Sequence, residues 1–233
     1  MSRWRAVVFD LDDTLYPERD YVRGGFEAVA RWASATTGEP YQAAFDELWA
    51  MFEAGVRHDT FDRWLQRRGR GPEPDRGTMI EVYRRQRPRL APYADVLPAL
   101  TGLRHQMRLG LITEGPSAVQ QAKLDALGLR PWFDKIVVLG EDERADWKPS
   151  RRPFDRWLEG GVIRPEAAVY VGDNPAKDFL AARRAGWSSV RVRRSDGLHR
   201  GEEPLMDEAR PDREIPDLRS LETILETFEA DSR

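Results

Sequence analysis

The chain has 233 residues, 40% of them hydrophobic and 10% aromatic, with 37 basic and 40 acidic side chains and a formal charge of −3. This composition supports one packed domain plus a small insertion and excludes wholesale disorder. The absence of cysteine removes disulfides, thiolate nucleophiles and thiolate metal sites, and no apolar run nears the ~20 residues of a membrane span. The N-terminus turns acidic too early for a signal peptide, so the expectation is a soluble, cytoplasmic protein with no membrane partner. Near-balanced charge argues against a nucleic-acid partner. Only four basic residues are lysines, namely Lys123, Lys135, Lys148 and Lys177. Where arginine is the default cation, each lysine marks a position worth reading.

In chain order, Ala6 to Phe9 is a short β-branched run that ends in Asp10, which predicts a buried parallel strand. From Glu18 to Arg89 the apolar spacing is helical throughout, as in Phe26, Val29, Ala30 and Ala33, and then Phe45, Leu48, Trp49 and Phe52. The spacing predicts an all-helical insertion of about four helices. A helix is predicted over Asp95 to Met107 and a strand over Leu109 to Thr113. Next come a helix over Ser117 to Leu127, closed by Gly128, and strands over Ile136 to Leu139 and Ala168 to Gly172. A helix over Pro175 to Ala185 and a weaker strand over Ser189 to Val192 follow. Ser195 to Asp217 reads as a loop and Leu218 to Phe228 as a final helix. Strands alternating with helices predict an α/β fold: a Rossmann-like parallel sheet formed by residues 1–17 and 90–233, with a small all-helical domain at 18–89.

In open parallel sheets, ligands bind beyond the carboxyl ends of the strands. The first strand runs into Asp10, Asp12, Asp13 and Thr14, a carboxylate cluster that reads either as an acidic turn or as a site for a cation. The second ends at Thr113, Glu114 and Gly115, a helix cap or an anion cradle. Lys148 follows the third strand, and Asp173 and Asp178 follow the fourth. Each has an ordinary surface or capping reading. In succession along one sheet, however, they place carboxylates, a hydroxyl and an ammonium around one crevice, an arrangement suited to a divalent metal together with a phosphate.

These residues resemble the motifs of the haloacid dehalogenase superfamily, and within it those of the phosphatases with a helical cap. DLDDT at 10–14 is similar to the first motif, Thr113 to the second, Lys148 to the third and GDNPAKD at 172–178 to the fourth. They occur in the family's order over nearly the whole chain. The helical insertion falls directly after the first motif, where the family's cap belongs.

The resemblance implies a Mg²⁺-dependent phosphatase acting on a small soluble phosphate monoester, such as a sugar phosphate or nucleotide. Asp10 would be the nucleophile and Asp12 the general acid. Asp10, the backbone carbonyl of Asp12, and Asp173 would hold Mg²⁺. Thr113, Glu114 (through its backbone N–H) and Lys148 would bind the phosphoryl group, with Thr14 and Asp178 in support and Asp13 structural. Glu114 departs from the family's usual Asn or Asp. The cap would close over the site, with Tyr21, Arg23, Arg57 and His58 as polar candidates for substrate contact. Asp12 argues for ester cleavage over dehalogenation, because an alkoxide needs a proton and a halide does not. A phosphomutase of the same fold, or a non-catalytic phosphate-accepting signalling or scaffold protein, is the alternative.

Overall fold

The computed structural model describes residues 3–69 and 75–230; the predicted domain limits at residues 1 and 233 and part of the helical insertion lie outside them. Two compact units divide the chain, one formed by Met1–Glu18 with Leu90–Arg233 and the other by Arg19–Arg89.

The first unit holds six parallel strands: β1 (Ala6–Phe9), β2 (Arg108–Glu114), β3 (Lys135–Leu139), β4 (Ala168–Gly172), β5 (Ser188–Val192) and β6 (Arg213–Ile215). Their order is β3-β2-β1-β4-β5-β6. The chain builds outward from β1 on one side, then returns to lay β4 against its other side. Strand order therefore reverses at β1, and a crevice opens beyond its carboxyl end between β2 and β4. Phe9 is level with Leu111 on β2 and Val171 on β4, so Asp10, Thr113 and Asp173 leave neighbouring strand tips.

Every residue of β1 and β4 is buried, as uncharged strands covered on both faces require. On one face, Phe154 of α7 (Arg152–Leu158) meets Tyr170 edge-on at 4.9 Å and Trp187 at 5.2 Å. Gly110 of β2 lies under Trp157, and a Cβ there would fall 2.1 Å from the indole nitrogen. On the sheet unit, α6 (Ser117–Leu127) ends where expected, at Gly128 in the left-handed conformation with φ 64°.

The second unit carries α1 (from Glu18 to Thr37), α2 (Tyr41–Glu53), α3 (Thr60–Gln66) and α4 (Asp75–Arg84). Its aromatic stripes form its own core: Phe26 contacts Phe52, Phe61 and Tyr83 at 5.8–6.3 Å.

Four expectations are corrected. The helix before β2, α5, covers only Val96–Leu103. The carboxylate of Asp95 instead pairs with Arg194 and accepts from the Leu218 amide. α8 (Asp178–Arg184) begins three residues later than expected, because Asn174 to Lys177 form a turn closed by the Asp178 side chain on the Asn174 amide. The loop expected at 195–217 contains the edge strand β6; it is three residues long, with only Ile215 buried, so it shows no period. The short helix α7 went unpredicted; its signal is just Phe154 and Trp157, three residues apart. The last helix, α9, runs over Leu221–Ala230 after a single turn of 3-10 helix. No helix among the described residues is long and apolar enough to cross a membrane.

Candidate active site

The predicted site residues converge at the reversal point of the sheet. Asp10, Asp173 and Asp178 are buried, and one carboxylate oxygen from each lies within 4.8 Å of the others. The Lys148 side chain is completely buried, and its ammonium donates to Asp10 Oδ1 at 2.8 Å, Asp178 Oδ1 at 2.7 Å and the Tyr170 hydroxyl at 2.7 Å. Tyr170 thus links the Phe154 packing to the charged site.

The carboxylates differ in how they are satisfied. Both oxygens of Asp178 are engaged, one by Lys148 and the other by the Asn174 amide at 2.9 Å. Asp173 Oδ2 is buried with no hydrogen-bond partner among the described residues. Burial, and then the charges of Asp178 and Asp10, push the Asp173 carboxyl well above its ordinary value. Burial also raises Asp10, with Lys148 opposing it. Burial would raise Asp178 as well, but Lys148 and Lys177 outweigh it and hold that group low. Burial would lower Lys148, but Asp10 and Asp178 lift it well above an ordinary lysine.

The first-motif loop is knotted by Asp13, which adopts φ 51°. Aspartate tolerates that region better than most residues. Its carboxylate accepts from the Glu18 amide at 2.8 Å and the Leu198 amide at 2.7 Å, as fits a structural rather than reacting group. The Thr14 hydroxyl is buried without a partner among the described residues; the loop is held through the Thr14 carbonyl, which accepts from Arg194 at 2.9 Å. The Glu114 carboxylate accepts the backbone N–H of Lys148 and lies 3.6 Å from Lys177 Nζ, so it braces the Lys148 loop.

Asp12 stands apart from the three-carboxylate cluster. Lys123 Nζ lies 2.7 Å from its Oδ1, which also accepts from the Tyr16 hydroxyl, and Gln120 Nε2 lies 3.2 Å from its Oδ2. Burial raises this carboxyl, but Lys123, Tyr16 and Gln120 together bring it below its ordinary value. Gln120 Nε2 also donates to Thr113 Oγ1. Sequence reasoning missed Tyr16, Gln120, Lys123, Tyr170 and Lys177 as members of the site. Scarcity was the available signal: three of the four lysines sit here, each within ion-pair reach of a carboxylate.

Gly172 is required by space. A Cβ there would lie 2.6 Å from Asp178 Oδ2 and 3.1 Å from the Tyr170 ring, and Asp178 cannot retreat without leaving Lys148 and Asn174. Gly172→Ala is expected to cost about 1–3 kcal/mol, a typical overpacking penalty. It should also reduce turnover, measured by thermal melting beside steady-state kinetics.

A family model described as haloacid dehalogenase-like hydrolase matches residues 4–186. Glyceraldehyde 3-phosphate phosphatase of Methanopyrus kandleri is 34% identical over 226 residues, covering 93% of this chain and 95% of that protein. Phosphoserine phosphatase of Thermus thermophilus is 32% identical over 251 residues, covering 93% and 97%. The fold is shared with the magnesium-bound HAD-hydrolase YfnB of Bacillus subtilis, at a TM-score of 0.69 and 24% identity, covering 96% of this chain and 99% of that one. The chain belongs to the haloacid dehalogenase-like hydrolases. Within that family it is an enzyme of the phosphatase type, a phosphoric monoester hydrolase.

Proposed function

We propose that the protein hydrolyses a small soluble phosphate monoester through an aspartyl-phosphate on Asp10, with Mg²⁺ as cofactor. One observation carries this reading: Asp10 sits at the sheet's reversal point, fixed by Lys148, near the Asp173 carboxylate, whose buried Oδ2 has no hydrogen-bond partner among the described residues. Charge supports a divalent ion. Asp12 is paired with Lys123 and Glu114 faces Lys177, whereas among the described residues Lys148 is the one ammonium in ion-pair contact with the cluster, through Asp10 and Asp178, and Lys177 acts on the cluster only at longer range. Three carboxylates against one ammonium leave two negative charges on a hard-oxygen donor set, which fits Mg²⁺. Asp10, the Asp12 carbonyl and Asp173 would hold it; Asp178, with both oxygens engaged, serves Lys148. When bound, the ion neutralises the charge of nucleophile and phosphoryl group as they approach.

In this reading Asp12, ionised in the substrate-free site, takes up a proton as the phosphate's negative charge arrives beside it; Asp10 then attacks phosphorus and Asp12 passes that proton to the departing alkoxide. Water then attacks the aspartyl-phosphate while Asp12 takes a proton back, releasing phosphate and restoring Asp10. Thr113, the Glu114 N–H and Lys148 hold the phosphoryl oxygens, and the loop bearing Thr14 keeps Asp12 in place. Residues 19–89 act as the substrate-selecting cap on the catalytic core. The relatives' names refer to three-carbon phosphates, glyceraldehyde 3-phosphate and phosphoserine, and such compounds head the substrate screen. Turnover of phosphorylated metabolites is expected only with Mg²⁺ present, with radiolabel on Asp10 after acid quench; turnover undiminished by chelation would refute the reading.

Asp173 also predicts a stability response. A carboxyl raised in the folded state destabilises the metal-free fold as pH climbs above its ordinary value of 3.8, because the unfolded chain releases that proton first. Metal-free protein should therefore lose melting temperature with rising pH, and Mg²⁺ should restore more of it at pH 8 than at pH 6. Asp173→Asn should melt higher than the metal-free parent and show no Mg²⁺ response. A lower melting point for the metal-free variant would refute this assignment of strain.

A further inference from the structure

Gln120 and Lys123 lie three residues apart on one face of α6, and both are buried, with 1% and 5% exposure. Long polar chains rarely occupy such positions unless a partner holds them there. Here the partners belong to two separate strand tips. Lys123 Nζ pairs with Asp12 Oδ1 at 2.7 Å. Gln120 Nε2 reaches Asp12 Oδ2 at 3.2 Å and Thr113 Oγ1, and an amide has two hydrogens to give. Both oxygens of the Asp12 carboxylate are thus fixed from a single helix that starts four residues after Thr113.

We propose that Lys123 and Gln120 are positioning residues that hold the Asp12 carboxylate and the Thr113 hydroxyl as one unit. The inference rests on the phosphatase reading, in which Asp12 serves the leaving group and Thr113 the phosphoryl oxygens. Because Thr113 Oγ1 accepts from Gln120, the hydroxyl proton is left to donate to a bound oxyanion. Asp12 lies on a loop and has two side-chain torsions, and the Tyr16 hydroxyl holds only Oδ1, so without α6 the carboxylate plane would be free to turn. Reaction geometry tolerates errors of only about 0.5 Å. α6 supplies a rigid support, since Leu124 and Leu127 of the same helix are buried. An apolar residue at 123 would satisfy helix packing at lower cost than a buried ammonium, so packing does not account for this lysine.

The test measures kcat and KM for an alkyl phosphate and for 4-nitrophenyl phosphate, whose leaving group needs little protonation. Lys123→Met and Gln120→Leu are each made in the wild-type and Asp12→Asn backgrounds. Lys123→Met is expected to lower kcat for the alkyl ester roughly 10- to 100-fold, part of the range of general acid catalysis, with KM changed less than about threefold. The loss should be several-fold smaller with the nitrophenyl ester. In the Asp12→Asn background the same change should lower kcat less than about twofold, because the group it positions is gone. Equal losses in both backgrounds, or for both esters, would mean that Lys123 only supports the fold and would overturn the proposal. Wild-type turnover by both folded single variants would do so as well. If Lys123→Met melts too low to assay, Gln120→Leu decides: its Thr113 contact gives a loss common to both esters and both backgrounds, and an additional loss confined to the alkyl ester in the wild-type background is expected, whose absence would overturn the proposal. Absence of phosphatase turnover in the wild-type chain would defeat the underlying reading and the proposal together, whereas an active wild type with unaffected variants defeats only the proposal.

Discussion

Asp10→Asn should remove turnover by at least about 10⁴-fold, the scale expected when a covalent nucleophile is lost. The fold should survive. The asparagine keeps the shape of the side chain and can still accept from Lys148 through its amide oxygen. It also relieves repulsion, because burial and the nearby Asp178 already work against the charge on Asp10. Asp10→Asn should therefore melt within a few degrees of the metal-free wild type while carrying no radiolabel after acid quench. Retained label would move the nucleophile elsewhere. A collapse in melting temperature would instead make Asp10 chiefly structural.

Lys148→Met should be the most damaging single change to stability. The ammonium is fully buried and serves two buried carboxylates and a tyrosine hydroxyl, and methionine supplies none of those hydrogen bonds. Removing one partner of a buried ion pair typically costs about 3–5 kcal/mol. For a chain of this size that is a fall of roughly 6–20 °C in melting temperature. Activity should vanish as well, because Asp10 loses its restraint and the phosphoryl oxygens lose a cation. A second substitution separates the two effects. Lys148→Met with Asp178→Asn removes one of the orphaned charges and should recover part of the melting temperature while staying inactive. Failure to recover would show that the loss comes from packing around Tyr170 and Phe154 rather than from unpaired charge.

Charge is divided unevenly within the site. Each of Lys123, Lys148 and Lys177 is matched to particular carboxylates, and the remaining negative charge gathers on Asp10, Asp173 and Asp178. The cluster holds its charges against burial and mutual repulsion, which raise the Asp10 and Asp173 carboxyls. It persists because Lys148 and the Asn174 amide satisfy Asp178, while the packed aromatic layer under Tyr170 keeps Lys148 from moving away.

The amino-acid order was enough to reveal the five longer strands, the helical insertion and the motif residues at the strand tips. Each of these is written locally: apolar runs of β-branched residues, 3.6-residue periodicity, and glycines such as Gly128 at helix ends. The strand β6 and helix α7 escaped because three and seven residues are too few to show a period, and tertiary contacts hold both in place. Only the folded arrangement could show what each charge faces. Nothing near Lys123 in the sequence points to Asp12, 111 residues away, and nothing near Glu114 points to the Lys148 amide. Such pairings arise when parallel strands place distant segments side by side. Burial then decides which side chains must find a partner, and at Asp173 Oδ2 it leaves one without a partner among the described residues.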